Sequence, residues 1–268
     1  MGKVLLALGT MASQNLGLAF SLMALGMVVE LAFRRFTQIP SPTLENRVFN
    51  CKCVAVIVIF QSTVELILFI PIYGVAMTLA RLLHGPLFAA RPGILFALAI
   101  ALLSSIAGDF IFYWYHRSAH AISWLWPIHK LHHEDEHMNV TTALRVHWMD
   151  SIADRMTHVL PAMFLPSPVT TVPLLFAIGY VHAMFEHLAI PIHLGPLNRV
   201  ITNPANHRIH HSNLAEHYNK NFASVWPFWD VLFGTYHAPR VGEYPPTGLL
   251  SGRPSKNLRE ALLGIRDS

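Results

Sequence analysis

The densest cluster of chemically active residues in this sequence is HKLHHEDEH, at residues 129–137. It places four histidines and three acidic residues in nine positions. Residues three or four positions apart lie on one face of a helix, so His129, His132 and His133 can direct their rings towards one point. Neutral imidazole is a common metal ligand that suits iron, zinc and copper. The stretch therefore predicts a helix with a metal-binding face.

The acids that follow this face have two interpretations. Glu134, Asp135 and Glu136 could accept hydrogen bonds from ring N–H groups and so orient the ligands. They could equally form the solvated end of the helix. His137 lies one helical turn beyond His133 and is interpreted as exposed.

The same spacing recurs elsewhere in the chain. HRSAH begins at residue 116, FEH at residue 185 and HRIHH at residue 207. One ion takes about four to six ligands, so the combined set predicts two ions. The predicted ligands are His116, His120, His129, His132, His133, His187, His207, His210 and His211. Five more isolated histidines are interpreted as ordinary polar contacts: His84, His158, His193, His217 and His237.

The composition is that of a membrane protein. Of 268 residues, 53% are hydrophobic and 13% are charged, and the mean hydropathy is +0.41. Soluble domains carry about a quarter charged residues. The net charge of +4 is spread along the chain without a basic patch interleaved with aromatic residues, which argues against a nucleic-acid partner.

Three apolar stretches are long enough to position these clusters at a membrane. They cover residues 16–33, 54–80 and 94–115, and about 20 residues suffice to cross the hydrocarbon core. A fourth, at 159–190, is interrupted by prolines and predicts a helical hairpin or a re-entrant pair. The sequence thus predicts an all-α membrane protein in which a cytoplasmic helical cap carries the histidine clusters.

The organisation and the orientation follow from the same pattern. We expect one membrane domain over residues 1–268, with mainly transmembrane helices in 1–115 and the histidine-bearing region in 116–268. The 34–52 connection holds four Lys or Arg and the segment from residue 199 onward holds eight, against two in 81–93. The tendency of positive loops to stay inside predicts that the histidines lie in the cytoplasm.

Acidic and other polar residues within the spans need a partner, because a charged or polar side chain in lipid is costly. Glu30, Gln61 and Glu65 are expected to face other helices or to reach the membrane rim. Asp109 lies two turns before His116 and hence on the same helix face. It could support a metal ligand, which is the favoured interpretation, or pair with Arg117.

Four motifs together resemble the fatty acid hydroxylase superfamily, also called the sterol desaturase family. They are HRSAH, LWPIHKLHH, HRIHH and WDVLFGTY, and the resemblance runs from about Asp109 to Tyr236. The stretch from FEHLAIPIH to HRIHH resembles the family as well, which implies His187 as a ninth ligand. MNVTTALRVH is similar to the family's stretch after its second cluster. This implies a supporting or ligand role for Asn139, Arg145 and His147.

The resemblance implies membrane di-iron chemistry. We expect two iron ions, for which zinc could substitute in purified protein, and O₂ as co-substrate. The reaction would be hydroxylation, or desaturation, of a C–H bond in a membrane lipid such as a sterol or a fatty acyl chain. No flavin, nucleotide or haem motif is evident, so electrons would come from an external donor, either cytochrome b5-like or a ferredoxin with its reductase.

Two other functions stay open at this point. A zinc-dependent membrane hydrolase would use histidine ligands, but the sequence has no HExxH motif and nine ligands exceed its need. A non-enzymatic metal transporter or sensor would be expected to place ligands within the spans, whereas these lie at or beyond the span ends.

Overall fold

The computed structural model describes residues 2–36, 39, 42–85, 93–165 and 171–263, and their regular structure is helical apart from one isolated bridge, Ser212 to Thr247. The predicted all-α class is confirmed. Short 3₁₀ turns lie at Val140–Thr142, Gly195–Arg199 and Ala215–His217. The α-helices are α1 (Gly2–Arg34), α2 (Leu44–Val64), α3 (Ile70–His84), α4 (Ile94–Ala121), α5 (Trp126–His133), α6 (Trp148–Phe164), α7 (Thr171–Glu186), α8 (Pro204–His210), α9 (Phe228–Phe233) and α10 (Leu258–Leu263).

Three segments are long and apolar enough to cross a membrane, as predicted. They are Leu8–Arg34, Leu44–Ile72 and Ile94–Ala121. The second runs from α2 through a π-helical segment, Glu65–Phe69, into α3. The third is longer than the apolar stretch that predicted it, and HRSAH forms the last turns of the same helix, α4, in agreement with the helical spacing of its two histidines.

The fourth apolar region forms α6 and α7, which pack against each other and against α4. Residues 166–170, with two of the prolines that predicted the break, lie outside the described residues. Whether this pair crosses the membrane or dips into it and returns stays a prediction. α6 begins before the apolar region, at Trp148, and its first turns carry Asp150, Asp154 and Arg155 among apolar residues.

A core between α1, α2 and α7 holds the segment that follows the second histidine cluster. Val140 packs there with Val54, Val58 and Met184. α1 lies so close to Val140 that a Cβ at Gly26 would be 2.4 Å from Val140 Cγ2. Only glycine, which has no Cβ, avoids this clash.

Glu30 fastens α1 to two segments of the histidine-bearing region. It is 1% exposed and accepts hydrogen bonds from the backbone N–H groups of Val140 at 2.8 Å and Ala189 at 2.9 Å. Its other oxygen pairs with Arg47 at 2.6 Å. The acid therefore faces other parts of the protein, one of the two outcomes expected for charge in a span.

The last third of the chain wraps over the end of α4. Asp230 in α9 accepts hydrogen bonds from the backbone N–H groups of Phe222 and Ala223, and Tyr113 of α4 packs on Phe222. α10 packs on α2, where Ala261 contacts Cys53 and Leu131. These contacts bring the third histidine cluster against the first two.

Candidate metal centre

The structure brings the nine predicted ligands together in two adjacent groups. In each group, one ligand atom per residue lies within 4.8 Å of the others. The five-histidine group consists of His116, His120, His129, His133 and His210. The four-histidine group consists of His132, His187, His207 and His211.

Helix geometry explains how α5 serves both groups. His129 and His133 are one turn apart and face the five-histidine group, while the adjacent His132 faces the other. α4 contributes two further members of the five-histidine group, His116 and His120, from one face of its last turns. The third cluster, on α8 and its C-cap His211, divides its histidines between the two groups. The eight-residue helix α5 therefore lies between the two groups.

The ring nitrogens within each group are separated as ligands of one ion would be. In the five-histidine group, the Nε2 atom of His129 lies 2.9 Å from that of His116 and 3.0 Å from that of His133. In the four-histidine group, the Nε2 atom of His207 lies 3.0 Å from that of His187 and 3.1 Å from that of His211. With a metal–nitrogen bond of about 2.1 Å, nitrogens about 3.0 Å apart subtend about 90° at the ion. That angle suits octahedral coordination with positions left open for other ligands.

The hydrogen bonds of the opposite ring nitrogens are those expected if the five-histidine group binds a cation. His116 Nδ1 donates to the carbonyl of Phe222 at 2.7 Å, and His129 Nδ1 donates to Asp150 at 3.0 Å. In a neutral imidazole the other nitrogen then carries a lone pair. These two lone pairs would face each other at 2.9 Å, a repulsive contact that a shared ion relieves.

The hydrogen bonds of His210 also indicate a ring nitrogen that is available to a cation. Its Nδ1 donates to the carbonyl of Lys220 at 2.8 Å, so its Nε2 carries a lone pair. That Nε2 is buried and has no hydrogen-bond partner among the described residues. A buried acceptor without a partner is costly unless a ligand satisfies it. The donor set therefore fits a metal ion.

Burial keeps the grouped histidines that lie outside the three membrane-spanning segments in the neutral form that binds metals. It lowers the pKa of His210 to about 3, and it lowers the pKa values of His133 and His211 well below the usual range, with neighbouring imidazoles adding to the effect. The pKa values of His132 and His207 are lowered well below that range for the same reasons. Neutral rings can therefore bind a cation without first losing a proton.

Asp150 is a functional candidate that the sequence interpretation missed. It lies in the first turn of α6, accepts the Nδ1 hydrogen of His129 and also accepts a hydrogen bond from the Tyr115 hydroxyl. A carboxylate in this position fixes the tautomer and the orientation of a ligating ring. Nothing in the spacing of the sequence pairs residues 129 and 150, because the packing of α6 against α5 sets their contact.

Asp109 has a different role from either one that was predicted. Its carboxylate accepts hydrogen bonds from the backbone N–H groups of Ser224, Val225 and Trp226, at 2.8–3.0 Å. Its described hydrogen bonds thus go to the segment after the third histidine cluster, not to a ring nitrogen or to Arg117. The face prediction placed Asp109 correctly, but a loop from the last third of the chain occupies the space beside it.

Three residues singled out by the resemblance lie around the groups. Asn139 caps the turn Val140–Thr142, where its side chain accepts the N–H of Thr141 at 3.0 Å. Arg145 is buried, and its guanidinium lies 3.4 Å from Glu134 and 3.1 Å from Asn50. Both therefore hold the segment beside the second cluster in place.

His147 is the exception among the resemblance-based candidates. Its Nδ1 accepts the N–H of Met149 at 3.2 Å and so caps α6, and its Nε2 donates to the carbonyl of Leu262 at 2.9 Å. Both ring nitrogens are used in these contacts, and His147 is in neither histidine group. A ligand role for His147 was the wrong interpretation.

Two of the three acids after the second cluster, Glu134 and Asp135, fit neither of their two interpretations, whereas the exposed Glu136 fits a solvated helix end. Asp135 is 1% exposed and accepts hydrogen bonds from Asn46 and Asn50 at 2.7 Å each. Glu134 is 3% exposed and also accepts the N–H of Ser255 at 2.8 Å. Both acids fasten α2 and the C-terminal segment to the cluster, whereas Glu136 and His137 are exposed.

A cavity of about 200 Å³ reaches both histidine groups. His116 and His129 of one group and His132, His187 and His207 of the other form part of its wall. Its remaining wall comes largely from α4, α6 and α7, and it includes Phe112, Leu144, Phe176 and Tyr180. The cavity therefore offers a mostly apolar space that ends at the predicted ligands.

Polar groups occur at defined places in this cavity. Glu186, which precedes a predicted ligand and was not itself predicted, is 4% exposed, and its Oε1 lies 3.8 Å from His207 Nε2. Arg155 also lines the cavity, and its Nε is buried without a hydrogen-bond partner among the described residues. Its guanidinium lies 3.6 Å from Glu65.

The isolated histidines are placed differently from one another. His158 stacks on Phe176 and lines the cavity, and His193 contacts the carbonyl of Pro239 at 3.0 Å. His217 and His237 form a third group with Glu243, which contradicts their interpretation as isolated contacts. The side chain of His84 lies outside the described residues.

Comparison with known proteins agrees with the geometry. The sequence model of the family described as fatty acid hydroxylase matches residues 101–235. Alkylglycerol monooxygenase of Homo sapiens is 35% identical over 130 residues, which cover 48% of this chain and 29% of that protein. Ornithine lipid hydroxylase OlsE of Rhizobium tropici is 31% identical over 141 residues, 52% of this chain and 42% of that protein.

A third relative is named for a different reaction. Delta(7)-sterol 5(6)-desaturase erg32 of Schizosaccharomyces pombe is 29% identical over 149 residues, which cover 54% of this chain and 41% of that protein. The chain thus spans less than half the length of each of these relatives. No solved structure matches it significantly.

Proposed function

Because this chain belongs to the fatty acid hydroxylase family, we propose that it is a membrane-bound non-haem di-iron oxygenase that hydroxylates a C–H bond of a membrane lipid with O₂. The observation that carries this proposal is the convergence of nine imidazoles in two groups on one largely apolar cavity. Two groups of this size match two ions, and the cavity gives a lipid chain access to both.

The proposed ligands divide as the groups do. The five-histidine group would hold one iron and the four-histidine group the other, with α5 between them. When bound, the iron pair would supply the reduction of O₂ and the oxidation of the C–H bond. Asp150 and the carbonyls of Phe222 and Lys220 would keep three of the rings in the metal-binding tautomer.

The cavity wall would position the substrate. Phe112, Leu144 and Phe176 exclude water and pack against a hydrocarbon chain. The unpartnered Nε of Arg155 would donate a hydrogen bond to an oxygen of the lipid. A lipid with an oxygen-bearing group attached to a long chain meets both requirements.

The relatives favour hydroxylation over desaturation. Two of the three are named as an alkylglycerol monooxygenase and an ornithine lipid hydroxylase, and one is named as a sterol desaturase. We extend the proposal to an external electron donor, either cytochrome b5-like or a ferredoxin with its reductase. We also propose that the histidine groups lie on the cytoplasmic side, as the distribution of positive loops predicts.

Lipid extracts of cells with and without the gene, compared by mass spectrometry, test the function. A lipid that gains one oxygen atom supports it, and a lipid that loses two hydrogens would replace hydroxylation by desaturation. Metal analysis of the purified protein should give two irons per chain. Zinc together with hydrolysed lipid, or metal flux into vesicles without O₂ consumption, would overturn the proposal.

A further inference from the structure

A third cluster of ligand-type side chains lies outside the two histidine groups. His217, His237 and Glu243 each offer one ligand atom, and these three atoms lie within 4.8 Å of one another. The two rings are 4.7 Å apart between centroids and meet edge to face. None of the three belongs to the nine residues of the proposed di-iron centre.

The distance between His217 and Glu243 fits two ligands of one ion better than it fits a direct contact. His217 Nε2 lies 3.5 Å from Glu243 Oε1. A good hydrogen bond between such atoms is about 2.7–3.2 Å long. Two ligands at about 2.0–2.1 Å from a tetrahedral ion lie about 3.3–3.4 Å apart, which is close to the observed separation.

The supporting hydrogen bonds leave the facing atoms available. His217 is 2% exposed, and its Nδ1 lies 3.0 Å from the Ser212 hydroxyl, which fixes the ring. The backbone N–H of Arg240 donates to Glu243 Oε2 at 2.8 Å, so that Oε1 is the oxygen turned towards His217. Ligating histidines and carboxylates are commonly held by such contacts on their other atom.

The backbone of His237, the third residue of the cluster, is fixed by hydrogen bonds to the side chain of Asn221. Asn221 accepts the N–H of His237 at 2.8 Å and donates to its carbonyl at 3.0 Å. The same side-chain amide lies 3.2 Å from the carbonyl of Asn206 in α8. Asn221 therefore connects the position of His237 to the helix that carries the third histidine cluster.

We propose that His217, His237 and Glu243 bind a divalent ion of the zinc type, separate from the di-iron centre. Two imidazoles and one carboxylate form a known protein donor set for Zn²⁺, in which water completes the tetrahedron. Glu243 is 19% exposed, so solvent reaches the fourth position. Lys220 and Arg240 act on His237 electrostatically, and we expect these cations to weaken the binding.

The ion would tie the segment at 237–247 to the chain that follows α8. His217 comes from the 3₁₀ turn Ala215–His217, whereas the other two ligands come from beyond α9. The same two segments are also joined by the bridge from Ser212 to Thr247. A bound ion would therefore stabilise this contact against local opening.

Zinc content of the full-length, tag-free protein tests the proposal. After metal removal with a chelator and reloading with Zn²⁺ alone, His237→Ala/Glu243→Gln should hold one zinc per chain fewer than the unchanged protein. Both substituted residues are partly exposed, so the variant is expected to fold even where the buried His217→Ala would not. His193→Ala is the matched control, because His193 contacts Pro239 in the same segment without belonging to the cluster.

The Tm of thermal unfolding is a second measurement of zinc binding, and it does not depend on lipid oxidation. Zn²⁺ should raise the Tm of the unchanged protein and of His193→Ala by more than it raises the Tm of the double variant. An equal zinc content in all three proteins overturns the proposal, and so does an equal rise in Tm. Either result would leave the proposed oxygenase function intact, because the two histidine groups are unchanged in these proteins.

Discussion

His129 and Asp150 are joined by a 3.0 Å contact between Nδ1 and Oδ2, which ties a predicted ligand on α5 to the first turn of α6. The carboxylate also accepts the Tyr115 hydroxyl hydrogen bond, so α4, α5 and α6 meet at one buried group. Asp150 therefore positions His129 without itself belonging to either histidine group.

Asp150→Asn should lower the affinity for iron by about 10–100-fold, because loss of the carboxylate weakens the orientation and basicity of the His129 ring. Iron retention during dialysis against a weak chelator measures this effect. Glu136→Gln is the control, since Glu136 is an exposed acid at the end of the same cluster. Equal iron retention in both variants would show that Asp150 is only structural.

His132→Ala should abolish product formation, since it removes a ring whose Nε2 lies 3.2 Å from that of His187. Iron content should fall towards one ion per chain. His137→Ala, five positions along the same segment and exposed, should retain both product and iron. Full activity of His132→Ala would remove His132 from the ligand set. His210→Ala should behave like His132→Ala.

Ala183→Leu should narrow the cavity, which Ala183 lines on α7. We expect kcat/KM for a long-chain lipid to fall at least about tenfold, because even one added methylene in a binding pocket changes discrimination by that order. Iron content should not change, since the contact from His187 to residue 183 uses the backbone carbonyl. Ala99→Leu on the exposed face of α4 is the matched control, and an equal effect of both variants would contradict a substrate role for this cavity.

Glu30→Gln should destabilise the protein by about 2 kcal/mol, because the hydrogen bond that the partly exposed Arg47 donates loses its charged acceptor. The amide oxygen can still accept the two backbone N–H groups, so the fold should persist with a lower Tm. Thermal unfolding in detergent measures the change, and the exposed Glu45→Gln provides the comparison. A Tm equal to that of Glu45→Gln would contradict the inferred role of the pair.

The spacing of the histidines predicted which rings share a helix face, because three- and four-residue spacing is a local property of the chain. It predicted α5 and the continuation of α4 as carriers of ligands. Asp109 shows the limit of such reasoning: its helix face was correct, but its partners are three backbone N–H groups more than a hundred residues away in sequence.

His217 and His237 illustrate the same limit at a second place. They are twenty positions apart with α9 between them, so no periodic pattern links them, and the acid that completes the cluster lies after α9. The family resemblance implied a supporting or ligand role for His147, yet this residue caps α6. In each case tertiary packing determines which groups the side chain contacts. Contacts between distant segments leave no periodic pattern in the sequence from which they could be predicted.

The hydrogen bond from His116 to the carbonyl of Phe222 spans 106 positions of the chain. During synthesis, α4 therefore enters the bilayer long before the group that orients its first histidine has been translated. Until the later segment docks, His116 lacks both this carbonyl partner and the histidines of the third cluster. We expect a nascent chain to hold no iron, and metal insertion to be a maturation step that follows release from the ribosome.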